Sequence, residues 1–134
     1  MAFDFSDLKL NDLSPIYSQI IEYVKAGIIT GALQDGDELP SRRFLSAALS
    51  VNPNTVQKAY HQLEEEGLLI SFAGAKSLVT VKQGTPERLK EERLEIETER
   101  YLEAVRQIGC DVEEIKKKFD QMWKSQGGGK NDAI

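Results

Sequence analysis

Residues 40–67 read PSRRFLSAALSVNPNTVQKAYHQLEEEG, and the punctuation of this stretch sets the architecture. Ser41 after Pro40 is placed to cap a helix that runs through Phe44, Leu45, Ala48 and Leu49. Ser50-Val51-Asn52-Pro53 then reads as a turn ending in a second cap. Asn52 accepts from freed backbone amides, and Pro53 suits the first helical position, where a missing N–H costs nothing. Val56, Ala59, Tyr60 and Leu63 follow at i, i+3, i+4 and i+7, one apolar face of a helix that Gly67 ends. Two short helices joined by so brief a turn make a helix-turn-helix.

Upstream, Ser14-Pro15 predicts a helix start, with Ser14 as the cap. Ile16, Ile20, Val24 and Ile28 recur every four residues, with Tyr23 and Gly27 on the same side, and Gly31 marks the end. Residues 32–38, containing Asp35-Gly36-Asp37, read as a turn-rich connection. Downstream, residues 68–72 and 77–81 are aliphatic, strand-like runs around a glycine turn at Gly74, and so predict a hairpin. Helix, helix-turn-helix and hairpin in that order describe a winged helix.

Past Gly84 the chain becomes heavily charged. A long helix opens at Thr85-Pro86 with Leu94, Tyr101, Val105 and Ile108 as its apolar stripe, and Gly109 breaks it. Asp111 and Glu114 form a capping-box pattern, with Cys110 and Ile115 as the hydrophobic staple. The last helix carries Val112, Ile115, Phe119, Met122 and Trp123 on one face. The expected fold is therefore mainly α with a small β-hairpin: a winged helix-turn-helix followed by a two-helix C-terminal dimerisation tail. The divisions fall at 1–82 for the DNA-binding head, 83–126 for the tail and 127–134 for a disordered end.

Charge is distributed unevenly. The net charge of −5 argues against a general polyanion binder. Yet Leu39 to Leu63 holds no acid, where the chain average would place about four, and carries Arg42, Arg43 and Lys58. Residues 1–38 instead sum to −5. Loss of negative charge from one window of an acidic chain suits a surface facing phosphate; a small buried helix pair would show the same depletion. With the apolar face of the second helix turned inward, its outer side offers Asn54, Thr55, Gln57, Lys58 and His61. Asn and Gln pair with adenine in bidentate fashion, Thr meets a thymine methyl or a phosphate, and Lys attracts phosphate.

These residues carry a family likeness. Pro15-Ile16-Tyr17 with Gln19-Ile20, Gly31-Ala32-Leu33, Leu39-Pro40-Ser41-Arg42-Arg43 with Leu45, and Val51 to Tyr60 with Leu63 to Leu68 closely resemble the GntR family of bacterial repressors over about residues 15–81. The short helical tail looks like the YtrA-type branch. The resemblance implies that Arg43 contacts DNA at the start of its helix and that Ser41 helps hold that helix end against phosphate. It places Asn52, Asn54, Thr55 and Gln57 on the operator and gives Gly74 the wing-tip position near the minor groove. It also implies a cytoplasmic homodimer, and for many members control of transporter operons. The wing departs from the family pattern of a basic residue before the glycine, a second basic residue and glycine after it and then an aromatic, because this chain reads Ala73, Gly74, Ala75, Lys76, Ser77 and Leu78 there. Lys76 alone is left there to meet phosphate.

Other function classes find little footing. His61 and Cys110 are the only histidine and cysteine and lie in different segments, so neither a nucleophile–base pair nor a metal-ligand spacing exists, and no cofactor is expected. The three glycines at 127–129 follow no strand and precede no helix, so they are no phosphate loop. No apolar run is long enough to span a bilayer. The expected function is sequence-specific, non-enzymatic regulation of transcription, as a repressor on an inverted-repeat operator in double-stranded DNA. Leu94, Tyr101, Val105, Ile108, Ile115, Phe119, Met122 and Trp123 are the expected dimerisation set. The alternative is an interaction or sensing module whose tail binds a protein or a small-molecule effector.

Overall fold

The four-residue apolar period upstream of the helix-turn-helix closes α1 (Ile16–Thr30), which buries Ile20, Ile21, Val24, Gly27 and Ile28 and ends at Gly31 in the left-handed conformation. The computed structural model describes residues 3–72 and 76–127. The start of α1 differs from expectation. Pro15 occupies the cap position with no side-chain cap bond, and the Ser14 carbonyl instead accepts from the Gln19 side-chain amide at 2.8 Å. A glutamine one turn into the helix thus takes over the tethering expected of the serine.

After α1 the chain forms β1 (Glu38–Leu39), α2 (Arg42–Leu49), α3 (Pro53–Glu65), β2 (Leu69–Phe72) and β3 (Lys76–Val79). The three strands make one antiparallel sheet in the order β1-β3-β2, so the expected hairpin gains a third strand. Glu38 pairs with Leu78 and Leu39 with Ser77, which draws part of the expected turn region into the sheet. Asp35, Gly36 and Asp37 still form a turn, and they clamp the end of β3. Val79 N–H donates to the Asp37 carbonyl, Gly36 N–H to the Val79 carbonyl, and Val81 N–H to Asp35 Oδ1, each at 2.8 Å.

The core of this unit joins Ile20, Val24 and Ile28 of α1 to Leu45 of α2, to Val56, Ala59, Tyr60 and Leu63 of α3, and to Leu69 and Val79 of the sheet. Such side chains are worth about 1.5–3 kcal/mol each when fully buried. Two contributors lie outside the elements read from sequence. Phe3 and Phe5 pack their rings 5.2–5.3 Å from Tyr23, whose hydroxyl donates to the Asp4 carbonyl. Leu89, in the second turn of α4 (Thr85–Gln107), is also buried in this core.

Residues fall into two compact units, 1–91 and 92–134, with α4 running through the boundary. The second unit holds the rest of α4 and α5 (Val112–Ser125). Asp111 caps α5 with the expected box: Glu114 N–H donates to Asp111 Oδ1 at 2.9 Å and Asp111 N–H to Glu114 Oε1 at 3.0 Å.

Candidate nucleic-acid interface

Both helices of the helix-turn-helix begin at side-chain caps. Phe44 N–H donates to Ser41 Oγ at 3.1 Å and Asn54 N–H to Asn52 Oδ1 at 2.7 Å. Capping settles where each helix starts, and so fixes the phase of every residue after it. The phase separates two adjacent arginines. Arg43 is exposed, whereas Arg42 lies about 100° around the helix and turns onto the fold.

The Arg42 guanidinium donates to Ser71 Oγ at 3.0 Å, approaches Glu64 Oε1 at 3.4 Å and lies 5.3 Å from the Tyr60 ring centre. Its Nε is buried without a partner. Tyr60 is wholly buried and donates its hydroxyl to the Pro40 carbonyl at 2.7 Å. Burial pushes its phenol well above the ordinary tyrosine range, against the pull of the Arg42 charge, so it stays a donor. Arg42 therefore joins α2, α3 and β2 from behind and supports the surface rather than standing on it.

The outer face of α3 presents Asn54 and Gln57 exposed, with Thr55 half-buried beside them. Lys58 is exposed, yet its ammonium sits 4.0 Å from the ring centre of Tyr17 on α1, a cation–π contact that orients it. His61 lies 3.8 Å from Glu65, one turn further on. Of the three acids that follow the acid-free window, Glu64 is engaged by Arg42 and Glu66 by Lys25 Nζ at 2.8 Å. Two of these three carboxylates are thus offset by cations, and the more exposed Glu65 faces His61. Lys76 is exposed at the start of β3, while Gly74 lies outside the described residues. Ser41, Arg43, Asn52, Asn54, Thr55 and Gln57 thus share the two capped helices, and Arg42 is drawn away from them.

Some of the surface escaped the sequence reading. Phe44 is 65% exposed, Phe72 51% and Ile70 49%. The strand alternation places Ile70 and Phe72 on one side of β2, a signal visible only once the register is known.

In the second unit α5 buries no residue. Phe119, Met122 and Trp123 are exposed, and the Phe119 and Trp123 rings stack 5.8 Å apart. Leu94, Tyr101 and Ile108 are exposed as well, and Val105 and Ile115 are half-buried. Tyr101, Leu102, Ile115 and Phe119 line a groove of about 890 Å³. Among the described residues no three His, Cys, Asp or Glu side chains gather as a metal site, and no helix is long and apolar enough to cross a membrane.

Residues 16–79 match the family model of bacterial regulatory proteins of the gntR family. The chain is 34% identical to the HTH-type transcriptional repressor YtrA of Bacillus subtilis over 119 residues, covering 78% of this chain and 92% of that relative. A GntR family transcriptional regulator from Listeria monocytogenes superposes with a TM-score of 0.72 at 32% identity, over 84% of this chain and 98% of that one. YtrA from Sulfolobus acidocaldarius, a GntR-family transcription factor, superposes at 0.54 with 31% identity, over 74% and 98%.

Proposed function

The chain belongs to the gntR family of bacterial regulatory proteins, a DNA-binding and non-enzymatic family, and from that premise we propose that it represses transcription as a homodimer on an inverted-repeat operator. The observation that carries the reading is the acid-free window Leu39–Leu63, which spans capped α2 and α3 up to Leu63 and holds Arg43, Asn54, Thr55 and Gln57 at the surface. Arg43 and the α2 end defined by Ser41 meet phosphate, Asn52 and Lys58 flank the contact, and Asn54 and Gln57 read base edges in the major groove.

Two-fold pairing is supported by the tail. Its aromatic face has no local core to enter, and burial against a second copy is the economical way to remove it from water. The residues engaged are those of the expected set, all of which lie beyond residue 91, where the compact unit of the head ends. Occupancy of a promoter by the pair blocks transcription in the cytoplasm, in keeping with the repressor named among its relatives. Control of a transporter operon and relief by a small effector belong to the same reading.

Fluorescence anisotropy on a duplex enriched by the protein from a randomised pool, against a scrambled duplex over a salt series, tests the proposal. Arg43→Ala should weaken binding to every sequence and flatten the salt slope of the dimer by about 1.8, one phosphate contact per protomer. Gln57→Ala should relax preference at one position by about 1–3 kcal/mol. Parental binding by Arg43→Ala at matched salt would overturn the assignment.

A further inference from the structure

The outer face of the small sheet carries an apolar patch with a charge at each end. Register places Glu38, Leu78, Ile70, Phe72 and Lys76 on this face, while Leu39, Leu69 and Val79 point into the core with Ser77. Ile70 and Phe72 are about half exposed, and Leu78 is partly covered between Glu38 and Ile70. The patch adjoins the helix-turn-helix. Leu39, paired with Ser77, leads through Pro40 to the α2 cap Ser41, and Ser71, next to Phe72, accepts from Arg42. Phe72 and its cross-strand partner Lys76 thus lie at the end nearest α2, where Arg43 is exposed. Glu38 lies across the sheet, where its carboxylate would repel phosphate.

We propose that Phe72 packs against the deoxyribose edge of the duplex beside the recognition site, with Lys76 on the adjoining phosphate, so that the wing adds an apolar contact beside a single ionic one. The inference rests on the DNA-binding reading above. The occupant follows from the chemistry of the patch. A deoxyribose edge offers C–H surface bounded by phosphates, which matches an apolar ring paired across the hairpin with Lys76, and apolar side chains are well suited to minor-groove contacts. Continuity with the acid-free surface favours DNA over a protein partner.

An apolar contact releases no counterions, so its contribution should survive added salt. Anisotropy on the pool-enriched duplex over a salt series, with hydroxyl-radical footprinting of sugar accessibility, separates the cases. Phe72→Ala should bind about tenfold more weakly at every salt concentration with an unchanged slope, and should lose protection outside the major-groove contact. Lys76→Ala should flatten the slope of the dimer by about 1.8, one contact per protomer, and Phe72→Arg should steepen it by a similar amount. Melting temperatures matched to the parent guard against misfolding, and Phe72→Arg tests the position even if the alanine variant is unstable. Parental affinity and footprint in Phe72→Ala, with binding weakened in Arg43→Ala, would overturn the proposal and leave the patch to a protein contact. A change of sedimentation in Phe72→Ala would assign it to a second copy, also against the proposal. Parental binding by Arg43→Ala would instead defeat the underlying reading of the helix-turn-helix.

Discussion

Replacing Arg42 by alanine should destabilise the head while leaving its DNA-facing side chains in place. The hydrogen bond from its guanidinium to Ser71 is charge-assisted and part-buried, worth about 1.5 kcal/mol. Its position over Tyr60 adds about 0.7 kcal/mol. The 3.4 Å approach to Glu64 adds about 0.5 kcal/mol, discounted because both side chains keep a quarter to a third of their exposure. Removing the orphaned Nε recovers about 1 kcal/mol of desolvation cost. The net loss is about 2 kcal/mol, or roughly 10 °C in melting temperature for a unit of this size. Thermal unfolding by circular dichroism, with anisotropy measured well below the transition, distinguishes this role from direct contact. Arg42→Ala should melt early yet keep most of its affinity and salt slope, whereas Arg43→Ala should melt as the parent does and bind weakly with a flattened slope. An Arg42→Ala protein with parental stability and a flattened salt slope would show that the side chain leaves Tyr60 to reach phosphate, and would refute the partition of the two arginines.

Further outcomes follow from the caps and the tail. Asn52→Ala removes the acceptor for Asn54 N–H and should cost about 1 kcal/mol, while Asn52→Gly should cost only a few tenths; denaturant midpoints compare the two. Replacing Phe119 and Trp123 together by alanine should raise the dimer dissociation constant at least about a hundredfold, measured by sedimentation equilibrium, with the melting of the head unchanged.

Much of the fold was legible because its signals are local. Ser41, Asn52-Pro53 and Asp111 with Glu114 carry their cap chemistry in their side chains, and the face Val56, Ala59, Tyr60 and Leu63 is buried throughout. The features that escaped are products of tertiary context. Two residues of β1 carry no period, and they form a strand because β3 has a second edge to satisfy. Phe3 and Phe5 precede any recognisable element and gain meaning only against Tyr23. Neighbouring arginines look alike in sequence, and only the helix phase sends one inward. At Ser14 the cap rule was outweighed by Gln19, which binds both the Ser14 carbonyl and the Asn11 backbone.

The pairing of Glu38 with Leu78 and Leu39 with Ser77 also shapes how the head comes apart. Those two pairs close a loop of sequence that contains the whole of α2 and α3, so the DNA-reading helices lie inside a ring whose clasp is the sheet. Contacts this distant along the chain are slow to form, and segments bridged by them tend to open as one cooperative unit. Amide exchange at Val79, which bonds across to Asp37, should therefore report the same opening free energy as the buried amides of α3. A wing substitution that weakens the clasp would then be felt in the persistence of the reading helices as well as in whatever the wing itself touches.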